Sequence, residues 1–200
     1  MMEGDVLSQR TTKSLPGLKE KYAALLAEYM PVVMGEGYNK AELFMIGEAP
    51  GKMEIEKGRP FVGAAGKNLD EFLEFVGLER KDIYITNAVK FRPVKKSPGT
   101  GRLSNRTPTK KEIELFRPLL MDEIDLVGPS LIITLGNTPL FSLVGRSIKI
   151  GDVHGKPMEF EGKRLYPLYH PASIIYRREL RNVYIEDLTN LKKLLAPGFK

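Results

Sequence analysis

Four residues stand where a side chain could act on another molecule. Glu48 lies in Gly47-Glu48-Ala49-Pro50-Gly51. A carboxylate fixed between glycines can hold a water or a cation; the plainer alternative is a turn carrying a solvated acid. Asn87 ends the apolar run Ile83–Asn87, and its amide offers donors and an acceptor on one group. It could equally cap the next segment. His170 opens His170-Pro171-Ala172-Ser173 and is a candidate acid, base or hydrogen-bond donor. Phe61, in Gly58-Arg59-Pro60-Phe61-Val62-Gly63, puts an aromatic ring on a constrained loop, either as core packing or as a stacking surface. Common catalytic patterns are missing: there is no HExxH, no G-x-S-x-G elbow and no Gly-Lys-Ser/Thr phosphate loop. The other histidine, His154, lies 16 residues before His170 and has no supporting neighbours.

A basic run adds a different kind of signal. Lys90, Arg92, Lys95, Lys96, Arg102, Arg106, Lys110 and Lys111 occur in 22 residues without an acid. Such a run is either a solvated loop or a surface laid against phosphates. Arg177, Arg178 and Arg181 form a second cluster beyond His170. The whole chain carries 31 Lys and Arg against 25 Asp and Glu, a formal charge of +6, which suits a polyanionic partner without requiring one.

The elements that must position these residues read as an α/β unit. Leu18–Tyr29 has helical apolar spacing and stops before Pro31. Glu42–Gly47, Ile83–Asn87 and Leu131–Leu135 are short apolar runs of the kind found in buried parallel strands. Leu69, Phe72, Leu73 and Val76 mark a helix closed by Gly77. Thr109 and Glu112 have capping-box spacing and open another helix. A short helix follows near Pro139–Leu143, and Met158–Phe160 with Arg164–Leu168 reads as a hairpin or two strands. The last helix, over Val183–Leu195, puts Ile185, Leu188, Leu191 and Leu195 on one face. Residues 90–111 read as a long polar connection. Strands alternating with helices favour a mostly parallel sheet covered on both faces, with ligands outside the carboxyl ends of its strands. Glu48, Asn87, Gly136-Asn137 and His170 would then share one edge.

Composition bounds the class. Two hundred residues, 42% hydrophobic and 28% charged, make one globular domain over 1–200, with 1–16 expected as a loose tail. The absence of cysteine removes disulfides, thiolate metal sites and a cysteine nucleophile. No apolar run reaches the roughly 18–20 residues that span a bilayer. The polar opening segment lacks an apolar signal core, so a cytoplasmic protein without a membrane partner is expected.

Taken together, VVMGEGYNKAELFMIGEAPG, GRPFVGAAG, IYITNAVKFRP, LIITLG and HPASII resemble the family-4 uracil-DNA glycosylases in order and spacing, from about Pro31 onward. The resemblance implies a three-layer α/β/α sandwich around a mostly parallel four-stranded sheet. It implies removal of uracil from DNA to leave an abasic site, by a monomer whose partner is uracil-containing DNA. Residue by residue, Glu48 would position the attacking water and Glu54 would crowd the C5 side of the base against thymine. Phe61 would stack on flipped uracil, Asn87 would read its O4 and N3–H edge, and His170 would donate to O2. Ile174 would be the wedge that fills the vacated stack, and Arg177 would serve where relatives carry an arginine one position earlier. Asn137, Arg92, Lys95 and Lys96 would face the DNA.

Two further departures stand against the family pattern. Relatives hold a [4Fe–4S] cluster on four cysteines; here the corresponding positions fall near Glu20, Ala23, Phe91 and Leu115, so no cofactor is expected. Met53 and Ile55 flank Glu54 where relatives continue with acids. These departures leave open a weakly active or inactive DNA- or uracil-binding relative, or a glycosylase for another deaminated base such as hypoxanthine or xanthine.

Overall fold

The computed structural model describes residues 14–171, 173 and 179–195. Helices α1 (Leu15–Lys21) and α2 (Ala23–Glu28) lead into a two-residue strand, β1 (Glu36–Gly37). Strand β2 (Leu43–Gly47) is followed by α3 (Lys52–Lys57) and α4 (Ala64–Val76). Strand β3 (Ile83–Asn87) precedes a hairpin of β4 (Val94–Lys96) and β5 (Leu103–Asn105), then α5 (Lys110–Val127). The chain continues through β6 (Leu131–Leu135), α6 (Asn137–Val144), α7 (Ile150–Val153), β7 (Met158–Phe160), β8 (Lys163–Leu168) and α8 (Leu180–Leu194).

The main sheet has the order β1-β3-β2-β6-β8-β7. Its four inner strands are parallel, as the apolar runs imply, and two short antiparallel strands, β1 and β7, extend its edges. Every residue of β2, β3 and β6 is buried, because helices cover both faces. Strand pleating then divides the core in two. Leu43, Met45, Ile83 and Ile85 pack toward α4 and α8, while Phe44, Ile46 and Tyr84 pack toward α5 and α6. A third cluster joins Leu18 and Leu26 of the first helices to Phe91, Ile113 and Phe116. Among the described residues, no helix is long and apolar enough to cross a membrane.

Several expectations shift. Ser14 caps α1 by accepting from the Gly17 N–H, so residues 14–16, expected in the tail, open a helix. The first helix breaks at Tyr22, whose hydroxyl joins Lys21 on Asp122 of α5. On α8, Tyr184 takes an inward position and Ile185 is 42% exposed. The largest addition is the β4–β5 hairpin inside the supposed polar connection. Arginines, rather than apolar packing, anchor it. Arg106 bonds the Val94 carbonyl and grips Glu112 with both terminal nitrogens at 2.7 and 2.6 Å, while Arg92 bonds the Asn105 amide oxygen at 2.7 Å. Glu112 also completes the capping box with Thr109.

The Arg106 hydrogen bond holds the Glu112 carboxyl down at about 2, against an ordinary 4.5. A carboxylate depressed in the folded state stabilises at neutral pH, and that contribution disappears as pH falls through the folded value. Glu112→Gln should therefore cost about 1 kcal/mol at neutral pH, allowing for solvent screening of a partly exposed pair. In denaturant titrations the deficit should shrink between pH 4.5 and about 2. A variant matching the parent at neutral pH would contradict this anchoring.

Candidate active site

The carboxyl ends of the four parallel strands open into one cleft of about 940 Å³. Glu48 follows β2, Asn87 ends β3, Gly136 and Asn137 follow β6, and Tyr169 and His170 follow β8; all line this cleft, as do Glu54 and Phe61. Six of the side chains singled out in the sequence thus meet in one space, although they span more than a hundred residues of chain.

Phe61 and Asn87 meet over Gly47. A β-carbon on Gly47 would lie 2.5 Å from Asn87 Oδ1 and closer still to Phe61 Cζ. The glycine that closes β2 therefore makes room for an aromatic ring beside an amide. Asn87 is 3% exposed and Phe61 4%, so both groups form the floor of the cleft. Phe61 has φ of 53°, a left-handed conformation that costs a non-glycine residue on the order of 1–2 kcal/mol. Its surroundings impose it. Glu54 Oε1 accepts from the N–H groups of Val62 (3.1 Å) and Gly63 (2.8 Å), and Oε2 accepts from Gly51 (3.1 Å). From the other side, Arg80 donates to the Phe61 carbonyl at 2.7 Å.

That geometry gives Glu54 a structural task as well as a place on the cleft wall. Both carboxylate oxygens are engaged with backbone N–H groups, so Glu54 builds the Phe61 loop. Nothing in the sequence marked this use, although Glu54 has the third-position spacing from Gly51 that a helix start favours.

Glu48 Oε2 accepts from the Thr138 hydroxyl at 2.7 Å, which fixes the carboxylate at the start of α6. Burial lowers the pKa of His170 from its ordinary 6.5, so the imidazole is neutral at neutral pH and presents one N–H. The His170 carbonyl accepts from both the N–H and the hydroxyl of Ser173. Asn137 is exposed at the rim, with its amide oxygen on the Ile150 N–H at 2.9 Å.

Among the residues expected to face DNA, Lys95 and Lys96 are exposed on the hairpin beside the cleft. Arg92 lies at the hairpin base, bonded to Asn105. Ile174 and Arg177 lie outside the described residues. The basic run is less uniform than its sequence implied. Arg106 pairs with Glu112, and Lys90 is completely buried against Glu123. Asn105 was not anticipated. It lines the cleft from β5, and Arg92 holds its amide oxygen, which leaves the NH2 as its outward group.

The residues do not fit a thiolate-bound iron–sulfur cluster. Phe91 is buried against Tyr29 and Phe116, with ring centroids 4.6 and 5.6 Å away, and carbon rings occupy the space where ligands would converge. Leu115, at the fourth of these positions, is 43% exposed; the next residue, Phe116, takes the inward place. Glu20 and Ala23 are exposed. Among the described residues, no group of three or more His, Asp or Glu is placed to hold a metal ion.

The chain matches the uracil DNA glycosylase superfamily over residues 34–190. A type-4 uracil-DNA glycosylase of Sulfurisphaera tokodaii is 41% identical over 171 residues, covering 81% of this chain and 74% of that protein. The type-4 enzyme of Thermotoga maritima is 38% identical over 168 residues, covering 82% and 83%. That of Archaeoglobus fulgidus is 40% identical over 170 residues, covering 81% of each.

Removing the Glu54 carboxylate would strip the acceptor from three backbone N–H groups and release the left-handed Phe61. Glu54→Ala should destabilise the chain by about 3 kcal/mol in denaturant titrations. A loss below about 1 kcal/mol would show that the loop holds its shape without Glu54.

Proposed function

This chain belongs to the uracil DNA glycosylase superfamily, and we propose that it hydrolyses the N-glycosidic bond of uracil in DNA, releasing the base and leaving an abasic site. The observation that carries the proposal is the gathering of Glu48, Phe61, Asn87 and His170 around one cleft.

An extruded uracil would stack on Phe61 and meet the Asn87 amide edge-on. The amide NH2 donates to O4 and the amide oxygen accepts from N3–H. Cytosine presents an amine and a bare N3 there, and each mismatched buried polar group costs about 1–3 kcal/mol. As the C1′–N1 bond breaks, negative charge gathers on the departing base. Neutral His170 donates to O2 without surrendering its proton, an effect worth about 3–4 kcal/mol for a well-placed donor. Glu48, steadied by Thr138, directs a water onto C1′, and the proton that this water gives up neutralises the departing uracil anion. Extrusion costs a few kcal/mol, the general figure for base-flipping enzymes, glycosylases among them. Lys95 and Lys96 on the hairpin, Asn137 at the rim, and Arg177 and Ile174 beyond His170 would offset that cost through phosphate contacts and a wedge.

The reaction needs water, a carboxylate and a hydrogen-bond donor, and no cofactor; the protein acts as a monomer. A lyase step would need an amine at C1′. Lys52, on the cleft wall, is instead exposed and 3.5 Å from Glu56.

Single-turnover assays on uracil-containing oligonucleotides, with thymine and hypoxanthine substrates in parallel, test the proposal directly. Asn87→Ala and His170→Ala should each slow uracil release by about a hundredfold or more, with DNA affinity changed less than about threefold. Parental rates in both variants would remove these residues from the mechanism. Gly47→Ala should be nearly as damaging, since the new methyl would displace both Phe61 and Asn87. A Gly47→Ala variant of parental activity would show that the two groups need not meet there.

A further inference from the structure

Lys90 has no exposed side-chain area, yet each of its ammonium hydrogens has an acceptor. Thr86 Oγ1 and the Asn87 backbone carbonyl each lie at 2.7 Å, and Glu123 Oε2 at 2.5 Å. Glu123, equally buried on α5, accepts a second bond on Oε2 from the Thr86 hydroxyl at 3.0 Å. Its Oε1 accepts from the Gly35 N–H at 3.2 Å and the Tyr84 hydroxyl at 3.4 Å. Burial pulls the Lys90 pKa down and Glu123 works against that pull.

A buried pair of this kind is an inefficient way to stabilise a fold. Desolvation offsets most of the attraction, and well-packed apolar residues of equal volume serve as well or better. Apolar residues cannot, however, bond one chosen peptide carbonyl. The carbonyl chosen here belongs to Asn87, the last residue of β3 and the proposed reader of the base. Directly after it, the Ala88 N–H bonds the Gly47 carbonyl at 2.8 Å and the Val89 N–H bonds that of Glu48 at 3.4 Å. The Lys90 carbonyl accepts from the Val33 N–H at 2.7 Å. The chain from Asn87 to Lys90 is therefore tied down at every residue, and the ammonium group supplies the tie at Asn87 itself.

We propose that the Lys90–Glu123 pair is a positioning device for pyrimidine recognition: it fixes the Asn87 peptide and so sets the angle at which the Asn87 amide meets the base. This rests on the uracil-excising function proposed above. Neither residue touches substrate, so loosening the pair should weaken recognition of the base more than binding of DNA.

The test is the double variant Lys90→Met/Glu123→Gln, which removes both charges together and nearly keeps their volume. It should melt cooperatively within about 5 °C of the parent and bind abasic DNA within about twofold. Single-turnover excision should fall about thirtyfold, and inhibition by free uracil should weaken about tenfold. A folded double variant with parental excision and parental uracil inhibition would overturn the proposal. If the double variant does not melt cooperatively, Thr86→Val decides, since it deletes the hydroxyl shared by the two charges. Its inhibition by free uracil should weaken about fivefold with abasic-DNA binding intact, and parental inhibition would overturn the proposal equally. A parent protein that releases no uracil would instead defeat the proposed function, a result separable from either variant outcome.

Discussion

A strand buried along its whole length cannot present a functional side chain from its middle. In this sheet the burial of β2, β3 and β6 on both faces confines chemistry to the strand ends. Parallel pairing then brings those ends together, because β3, β2, β6 and β8 all run the same way and finish along one edge. The backbone frame of the site is set by this pairing. Its geometry follows from strand register, with Gly47 opposite Asn87 across the β2–β3 pair.

Register alone places backbones and does not aim side chains. The finer positioning comes from charged groups that bond backbone atoms. Glu54 spends both oxygens on three N–H groups around the Phe61 loop, and Arg80 holds the Phe61 carbonyl from the opposite side. Lys90 does the same for the Asn87 carbonyl. Glu54 and Lys90 are buried charges, each placed where a specific peptide must not move. The left-handed Phe61 belongs to the same economy, since a strained residue persists only where its surroundings over-determine it.

The sequence was most legible where one physical signal dominated. β2, β3 and β6 appear as unbroken apolar runs because they are buried on both faces, and Thr109 with Glu112 announced a helix start that the structure contains. Legibility failed where a residue's partner lies far along the chain. Nothing local distinguishes buried Lys90 from exposed Lys95, because the partner that decides it, Glu123, is 33 residues away. The backbone partners of Glu54 were hidden in the same way, because they lie on a loop whose shape composition does not reveal. The β4–β5 hairpin lacked alternation, since most of its residues are exposed and arginines hold it in place. The inward place expected for Ile185 belongs to Tyr184, one position earlier, as happens when neighbouring apolar residues both fit a helical period.

The aromatic cluster shows how a structural task can be met by different chemistry. In the relatives, as the resemblance implies, a metal cluster joins the N-terminal helix to the segment after β3 and to α5. Here Tyr29 follows α2, Phe91 follows β3 and Phe116 lies on α5, and their rings meet within 4.6 to 5.6 Å. Each such pair contributes on the order of 0.5–1.5 kcal/mol beyond the area it buries. Lys21 and Tyr22 add a polar join to Asp122 of the same helix. These contacts connect the same three segments, and the cluster reaches the cleft wall through Ile113 and Ala49. Packing of this kind is insensitive to oxidation, and it fixes Phe91 immediately after Lys90, so the aromatic cluster and the buried ion pair brace consecutive residues of one turn.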